Sequence, residues 1–418
     1  MIRTYSQSFK HSDLVFEMTK ESAQIYNMAI KLHKEGTDFK EIGKIIDRDF
    51  KNKYLLSESR QASYQQYCKD FTSFAKALSV YSKNPEKFCG QPKPPHHERF
   101  MRTVYFKKDA VRYKGDYILL STKKPNEPIR IEWDKNLPIP EYVTITFDRF
   151  SGWKINLTVD AEKPNKIPET NTKIMAIDLG VKRIATTFDG EKVTTYSGKE
   201  FLALGKQRNE LLAKAQSKYA NTGQESRRRK YVKRGYRRKV KKIKNKEKDI
   251  LHKYSRTIVN DAIANGVKKI VIGDCSNIHK NTNLGRKNNQ KIQQNPEQKL
   301  KEYVCYKFDS AGGITEVIPE RRTSKTCPKC KHLHKHSPKG RTFKCKGNKC
   351  DYVYDRDGIG AMNIHCLEVS FDHDEWLNVI GRMTLPLGVK YHPNLPCKIW
   401  RTKSELNRSC QGKETTML

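Results

Sequence analysis

The sequence contains no apolar run near the roughly 18 residues that a membrane-spanning helix needs. Between Met1 and Phe50 it also lacks the basic start, apolar core and small-residue cleavage site of a secretory signal. The eleven cysteines are an odd number in a lysine-rich chain, which is not typical of a disulfide scaffold. These absences exclude a membrane protein and predict an intracellular one whose thiols stay reduced or bind metal.

Acidic residues are scarce relative to basic ones. The 418 residues include 83 Lys and Arg but only 46 Asp and Glu, which leaves a net charge of +37. This excess is far larger than solubility requires, and its sign is the one that phosphate backbones attract. The composition therefore predicts a nucleic-acid-binding protein, and the length is sufficient for two or three domains.

The first part of the chain alternates between strand and helix patterns. Residues Met1 to Phe9 have a strand pattern, and a helical period follows to about Leu78. A proline-rich segment, Asn84 to His97, separates these helices from a series of short strands. The predicted strands are Thr103–Phe106, Tyr117–Leu120, Ile129–Trp133, Tyr142–Phe147 and Trp153–Val159. We expect a small β-barrel with a helical insertion between its first two strands.

A second unit is predicted to begin near Lys166. Apolar strands at Ile174–Ile177 and Ile184–Phe188 precede a long helical region, from about Ser197 to Ala264 and broken near Asn221, and another strand follows at Lys269–Ile272. Strand, hairpin, long helices and strand is the order expected of an RNase H-like α/β sheet. The segment from Ser276 to Lys299 has the composition of a polar loop, and the tail shows no clear period.

Four cysteines, Cys327, Cys330, Cys345 and Cys350, form two pairs whose spacing is typical of a structural zinc site. Gly340 and Gly347 occupy positions where tight turns are needed. Three histidines lie between the pairs and are alternative ligands, but exposed positions near nucleic acid suit them better: His332, His334 and His336. Four thiolates would leave no open position for catalysis, so the zinc is expected to be structural.

Two aspartates are candidates for a metal-dependent phosphodiesterase site, which needs carboxylates from separate segments. Asp178 ends an apolar strand, although such an aspartate before glycine often serves only a turn. Asp357 follows the cysteines and precedes a helical segment, where it could simply cap the helix. Neither position decides the function alone.

The combination of motifs resembles the TnpB family, also called OrfB, whose relatives include the type V CRISPR effectors. The motifs are IDLGVKRIATT, the strand IVIGD, ERRTSKTCPKC with the cysteine pairs, and DRDGIGAMNI, in that order. The resemblance is close over about Ile174 to Ile364. It implies a RuvC-like nuclease in which Asp178 and Asp357 bind Mg²⁺ or Mn²⁺ and Asp355 has only a structural role.

The middle metal ligand departs from the pattern of the family, which carries a glutamate at the end of the second core strand. Here Gly273 and Asp274 stand at that point. Asp274 is one substitute, and Glu320, in the strand predicted from Ile314 to Arg322, is another. Loss of the nuclease activity is the third alternative. We favour Glu320, because its strand leads directly into the cysteine motif and both outer aspartates are present.

A dense run of cations, Arg227 to Lys248, is predicted to be a helix with one apolar stripe packed on the sheet. Its other face is expected to bind phosphates, while tyrosines stack on bases. The predicted binding residues are Arg227, Arg228, Arg229, Lys230, Lys233, Arg234, Arg237, Arg238, Lys241 and Lys242.

The resemblance implies an RNA-guided DNA endonuclease encoded by a transposable element, with guide RNA and target DNA as partners, Mg²⁺ (or Mn²⁺) and Zn²⁺ as metals, and no membrane partner. We expect it in the prokaryotic cytoplasm, at the nucleoid when bound to DNA. Alternatives are an inactive RNA-guided repressor and a compact type V CRISPR effector. The expected domains are a wedge-like barrel (1–165) with a recognition insertion (about 11–95), a RuvC-like domain (166–322), a zinc ribbon (323–353), a last RuvC segment (354–370) and an unassigned tail (371–418).

Overall fold

The computed structural model describes residues 2–88, 90–98, 100–161, 166–220, 222, 226–274, 284–320, 322–336, 340–369, 372–393 and 398–401. The chain divides into two compact units, Met1–Glu162 and Lys163–Leu418, and each has its own hydrophobic core. Among the helices of these ranges, none is both long and apolar enough to cross a membrane. The predicted mixed α/β class is confirmed.

The first unit contains seven strands and three long helices within the described ranges. In chain order they are β1 (Ile2–Phe9), α1 (Asp13–Lys34), α2 (Phe39–Asp49), α3 (Ser57–Lys83), β2 (Val104–Lys107), β3 (Val111–Tyr113), β4 (Tyr117–Leu120), β5 (Ile129–Glu132), β6 (Tyr142–Asp148) and β7 (Gly152–Asp160), with 3-10 turns at Pro85–Lys87 and Lys108–Ala110.

The strands of the first unit form two antiparallel sheets, ordered β1-β7-β6-β2 and β3-β4-β5. Side chains alternate along the strands, and those on one face are buried in a core that they share with the helices, as the burial pattern of β7 illustrates. The helices lie between β1 and β2 in the chain, where the sequence predicted an insertion. Glu21 of α1 fixes the segment before α3, because its carboxylate accepts hydrogen bonds from the backbone of Lys53, Tyr54 and Leu55.

The second unit holds the remaining elements. They are β8 (Lys173–Leu179), β9 (Arg183–Phe188), β10 (Val193–Ser197), α4 (Lys199–Ala220), α5 (Arg227–Ala264), β11 (Val267–Asp274), α6 (Arg286–Gln293), α7 (Glu297–Ser310), β12 (Ile314–Pro319), β13 (Thr342–Lys344), β14 (Val353–Asp355), α8 (Arg356–Glu368), α9 (His373–Arg382), β15 (Leu387–Lys390) and β16 (Lys398–Arg401).

A seven-stranded sheet, ordered β12-β11-β8-β9-β10-β15-β16, forms the centre of this unit. Strands β8, β9 and β10 are antiparallel, whereas β11 and β12 run parallel to β8. The short apolar runs of β8 and β11 are buried on both faces, as expected for central strands covered by helices. Their carboxyl ends therefore meet at one edge of the sheet.

The two faces of the sheet pack against different helices. Met175 and Ile177 of β8 pack with residues of α5 and α7, including Tyr254 and Val304. The alternate residues of β8 and β11 contact α8 on the other face, where Ala176, Val271 and Ile318 surround Ile364. A side chain at a strand end therefore faces either α5 and α7 or α8, depending on which face of the sheet carries it.

Several sequence predictions in this unit were wrong. The segment from Ser276 to Lys299, predicted to be a polar loop, contains α6 and the start of α7. Helix α6 was missed because Ile292 is its one buried residue, so that it shows little apolar pattern. Residues 275–283 lie outside the described ranges. The strand expected to reach Arg322 ends at Pro319, which leaves Glu320 just beyond it. Strand β10 was missed because buried threonines stand where apolar residues were sought.

Candidate active site, cysteine cluster and basic helix

Strand pairing brings two of the predicted carboxylates to one face of the sheet. The residues that follow the last β8–β11 pair are Asp178 on β8 and Gly273 on β11, so these two lie level with each other. Gly273 lies opposite Ile318 of β12. Since side chains alternate along a strand, Glu320, two residues after Ile318, points to the same face as Asp178.

The side chain of Glu320 lies directly over Gly273. A Cβ atom built on Gly273 would lie 2.5 Å from Cδ of Glu320, and Oε1 and Cγ would be closer still. No real Cβ atom tolerates such distances, so the glutamate occupies the space that a side chain at position 273 would need. Its carboxylate therefore lies at the end of β11, although it belongs to the next strand.

Asp357 approaches the same point from α8. The helix begins after Asp355, whose carboxylate accepts hydrogen bonds from the backbone of Asp357 and Gly358. Asp355, and not Asp357, is thus the capping residue, which leaves the second aspartate available in the first helical turn. Gly360 of α8 makes room for Asp178, because a Cβ atom at that glycine would lie 3.0 Å from Cγ of the aspartate.

Charge and burial act together on Asp178. Burial raises the pKa of its carboxyl well above the ordinary value, and the neighbouring carboxylates of Glu320 and Asp357 raise it further, against the effect of Arg356. The protein therefore brings three carboxylates close enough to repel one another. A cation at this point would relieve that repulsion.

Glu320 shows the same effect. Burial, followed by the charges of Glu297 and Asp274, raises the pKa of Glu320 from 4.5 to about 7, while Lys301 lowers it. Its Oε1 atom is buried and has no hydrogen-bond partner among the described residues. A buried carboxylate oxygen without a donor is unusual, and a metal ion is one way to satisfy it.

Asp274, the alternative middle ligand, follows Gly273 and therefore points to the opposite face of the sheet. Its Oδ1 lies 3.5 Å from Nζ of Lys301, which extends from α7 on that face. The structure thus groups Asp178 with Glu320 and Asp357, whereas Asp274 lies beside Lys301 and is still close enough to Glu320 to raise its pKa.

Two arginines that the sequence analysis did not single out contact the aspartates. Nη1 of Arg183 lies 2.5 Å from Oδ1 of Asp355 and 3.5 Å from Oδ2 of Asp357. Arg341, from the segment between the cysteine pairs, donates to Oδ2 of Asp357. Arg183 lies within the motif IDLGVKRIATT but was not singled out there, and no quoted motif contains Arg341, because an arginine in a chain with this many cations carries no signal of its own.

The three carboxylates fit Mg²⁺ or Mn²⁺, since these ions prefer oxygen ligands and usually retain several waters. Their oxygens are not all within 4.8 Å of one another, a distance that only the four cysteines meet among the described residues. Two-metal phosphodiesterase sites spread their ligands over two ions about 3.5–4 Å apart. Carboxylate oxygens more than 4.8 Å apart are therefore compatible with a site that holds two ions.

The four predicted cysteine ligands form one cluster. Their Sγ atoms all lie within 4.8 Å of one another; the Cys327–Cys350 pair is 3.9 Å apart and the Cys330–Cys345 pair 3.6 Å. A disulfide would need about 2.05 Å. Four sulfurs placed about 2.3 Å from a central Zn²⁺ would be separated by about 3.8 Å, so the cluster fits a tetrahedral zinc site.

The local backbone explains how the cysteines converge. Each pair lies on a tight turn in which one residue, Lys331 or Lys349, has a positive φ of 57°. The short hairpin of β13 and β14 joins the second pair to the helix that carries Asp357. Of the three histidines, His334 comes within 3.6 Å of Sγ of Cys345, outside the group of four sulfurs.

The ten predicted nucleic-acid-binding cations lie in the N-terminal half of α5. From Arg227 to Lys246 there are thirteen Lys and Arg and no acidic residue. Eight of the ten predicted residues are exposed, while Arg229 and Lys241 are half-buried. Ser226 caps the helix, because its hydroxyl accepts a hydrogen bond from the backbone of Arg229.

The predicted apolar stripe of this helix was wrong at its start. The stripe was predicted from Tyr231, Val232, Tyr236, Val240 and Ile243. Of these only Ile243 is buried, whereas Tyr231 is 78% exposed. Burial in α5 continues after Ile243 with Ile250 and Leu251. The first half of the helix therefore presents a tyrosine among cations and has no packed face on the sheet.

Comparison with known proteins matches two segments of the chain. The family OrfB_IS605, described as "Probable transposase", matches residues 156–279, and the "Cas12f1-like, TNB domain" matches residues 298–364. A TnpB-like protein of Methanocaldococcus jannaschii, MJ0751, is 35% identical over 123 residues, which are 29% of this chain and 42% of that protein. Over these segments the chain is similar to the TnpB/OrfB family.

These matches confirm the resemblance to the TnpB/OrfB family that was predicted from the sequence. The CRISPR-associated endodeoxyribonuclease Cas12f1 of Sulfoacidibacillus thermotolerans is 28% identical over 222 residues, 52% of this chain and 50% of that protein. The chain spans about half the length or less of these curated relatives. A solved Cas12f1–sgRNA–target DNA complex matches with a TM-score of 0.51 at 17% identity, covering 85% of this chain and 82% of that one, a likeness of fold.

The two TnpB-related segments divide the candidate site between them. The OrfB segment contains Asp178, Gly273 and the basic half of α5, and the TNB segment contains Glu320, the four cysteines and Asp357. The carboxylates therefore lie together only when the two segments fold onto one sheet.

Proposed function

We propose that the chain is an RNA-guided DNA endonuclease of the TnpB type that hydrolyses phosphodiester bonds at the carboxylate site. The observation that carries this proposal is the placement of Asp178, Glu320 and Asp357 on one face at the strand ends, in a chain similar to the TnpB/OrfB family. The relative Cas12f1 is named an endodeoxyribonuclease, and its solved complex contains a guide RNA and target DNA. Guide RNA and target DNA are thus the proposed partners.

In this proposal the second unit contains an RNase H-like RuvC domain, and the strand order β10-β9-β8-β11-β12 supports it. We assign residues 166–322 and 354–370 to this domain, 323–353 to a zinc ribbon, and 1–165 to a wedge-like barrel with its recognition insertion. The division of the chain after Glu162 supports the first boundary.

The chemistry requires the three carboxylates to be ionised and accessible to a divalent cation. Mg²⁺, when bound, would stabilise the charge on the attacking and leaving oxygens of the phosphodiester. Asp178 and Asp357 are positioned by the sheet and by the start of α8, and Glu320 reaches them over Gly273. Arg183 and Arg341 hold Asp357 in place and supply positive charge beside the phosphate position.

The basic half of α5 is proposed to bind the guide RNA. Its exposed cations suit phosphates, and the exposed Tyr231 suits stacking on an unpaired base. The four cysteines are proposed to bind Zn²⁺ as a structural ion. The ion would join the turn of Cys327 and Cys330 to the hairpin of β13 and β14, which precedes Asp357.

The test begins with the RNA that copurifies with the protein. Sequencing it should reveal RNA encoded at a transposon end; RNA from a repeat array would point instead to a CRISPR effector. With that RNA, a matching DNA target and Mg²⁺, wild type should cut, and D178A and D357A should bind the target without cutting it.

The middle ligand is tested in the same assay with two conservative substitutions. Glu320→Gln should be as inactive as the aspartate variants, whereas Asp274→Asn should retain most of the cutting. The reverse outcome would assign the middle ligand to Asp274. Target binding without any cutting by wild type, in Mg²⁺ or Mn²⁺, would refute the nuclease proposal and support a repressor.

A further inference from the structure

The glycine at the end of β11 occupies a position that ordinarily carries a side chain. Gly273 lies inside a buried strand, between Ile272 and Asp274, and its φ is not in the left-handed region that favours glycine. A glycine weakens a strand, since it offers no side chain to pack and has more freedom in the unfolded chain. The backbone therefore does not explain this residue.

The neighbouring strand does explain it. The volume above Gly273 is filled by the distal atoms of Glu320, with Cδ only 2.5 Å from the position of a Cβ atom. Position 273 is also level with Asp178 on β8. A side chain there would point directly at the aspartate from the adjacent strand, in the place that the carboxylate of Glu320 now occupies.

We propose that Gly273 is a positioning residue of the metal site, and that Gly273 and Glu320 form an exchangeable pair in which one position supplies the carboxylate and the other supplies its space. This inference rests on the proposed metal site. It adds that the space over Gly273 positions the carboxylate of Glu320, and that a carboxylate on β11 at position 273 would bind the metal equally well.

A methyl group at position 273 displaces only the far end of a flexible side chain. The remainder of β11 keeps its register with β8 and β12. Gly273→Ala should therefore still fold, with a thermal midpoint close to that of wild type, because the lower freedom of the unfolded chain offsets the cost of moving Glu320. The displaced carboxylate should weaken the binding of Mn²⁺, by about 10- to 100-fold if it behaves like other perturbed supporting groups.

The decisive experiment is a double-mutant cycle read by Mn²⁺ titration of the zinc-loaded, full-length protein, with electron paramagnetic resonance to detect free Mn²⁺. Gly273→Ala, Glu320→Ala and the double variant are compared. If the glycine acts through the glutamate, the double variant should bind Mn²⁺ as weakly as Glu320→Ala alone. Gly381→Ala, at a helix position of α9 with nothing within 4 Å, is the control substitution.

The reciprocal exchange, Gly273→Glu with Glu320→Gly, tests the pairing directly. It should restore Mn²⁺ affinity to within a few-fold of wild type and should restore DNA cutting, whereas each single change should weaken Mn²⁺ binding and abolish cutting. Wild-type affinity in Gly273→Ala, or an undiminished effect of that change in the Glu320→Ala background, would overturn the inference. A folded exchange variant that binds no Mn²⁺ would do the same.

These outcomes are separate from the failure of the proposed function. If Glu320→Gln leaves Mn²⁺ affinity and cutting unchanged, the metal site itself is wrong. If Glu320→Gln is inactive and Gly273→Ala is not, the metal site stands and only the role of the glycine fails.

Discussion

Replacement of Glu320 by glutamine should stabilise the metal-free site at neutral and alkaline pH. The carboxyl is held among other carboxylates at the end of a buried sheet, so ionisation is unfavourable in the folded state. Glutamine keeps the shape of the side chain and removes the charge. The variant should therefore be more stable than wild type while losing the proposed activity.

The raised pKa sets the magnitude and the sign of this effect. The pKa of Glu320 is raised from 4.5 to about 7 on folding. The folded state thus holds its proton more tightly, so the contribution of the carboxyl to stability is fully present below pH 4.5 and is lost as the pH rises through 7. A rise of the pKa from 4.5 to about 7 corresponds to about 3.4 kcal/mol, and screening by solvent at the strand end reduces the expected gain to about 1–3 kcal/mol.

Thermal unfolding measures this gain in zinc-loaded protein in buffer freed of other divalent cations. At pH 8, Glu320→Gln should raise the midpoint by about 4–8 °C for 2 kcal/mol, since a domain of this size shifts by about 2–4 °C per kcal/mol. At pH 4.5 the two proteins should unfold together. Added Mg²⁺ should stabilise wild type by mass action and leave the variant unchanged, which reverses their order.

The control is Glu316→Gln on the same strand. Glu316 is about half exposed and pairs with Lys269 at 2.6 Å, so its removal should cost at most about 1 kcal/mol and show no gain near pH 8. Equal stability of wild type and Glu320→Gln at pH 8, or a difference that persists at pH 4.5, would refute the reasoning about the buried carboxylate.

Three further outcomes follow from the cysteine cluster and the basic helix. Replacing Cys327 and Cys330 by serine should remove the bound zinc, measured by atomic absorption, and lower solubility; normal cutting by zinc-free protein would contradict the ribbon. Reversing the charges of Arg234 and Arg238 should make the negative slope of log affinity against log salt for guide RNA shallower by about 1.4, at about 0.7 per phosphate contact. An unchanged slope would place the contacts elsewhere. Tyr231→Ala should weaken RNA binding by about 1–3 kcal/mol without altering that slope, and Tyr231→Phe should not; quenching of 2-aminopurine in the RNA reports the stacking, and equal quenching by the alanine variant would exclude it.

Features that depend on local pattern could be predicted without the structure. The charge excess, the two cysteine pairs and the order of motifs from Asp178 to Asp357 are all readable along the chain, and they were sufficient to predict the family. Central strands such as β8 and β11 were recognised because they are buried on both faces, which produces continuous apolar runs. Helix α6 and strand β10 were missed because their burial depends on neighbours distant in the chain.

The pairing of the strands was needed to show which carboxylates lie together. Along the chain, Asp274 and Glu320 were both candidates, since each stands at the end of a strand. A one-residue step in a strand moves a side chain to the other face, and that step directs Asp274 towards Lys301. The same register places Glu320 over Gly273, and no local pattern reveals a glycine whose role is to leave space for a residue 47 positions away in the chain.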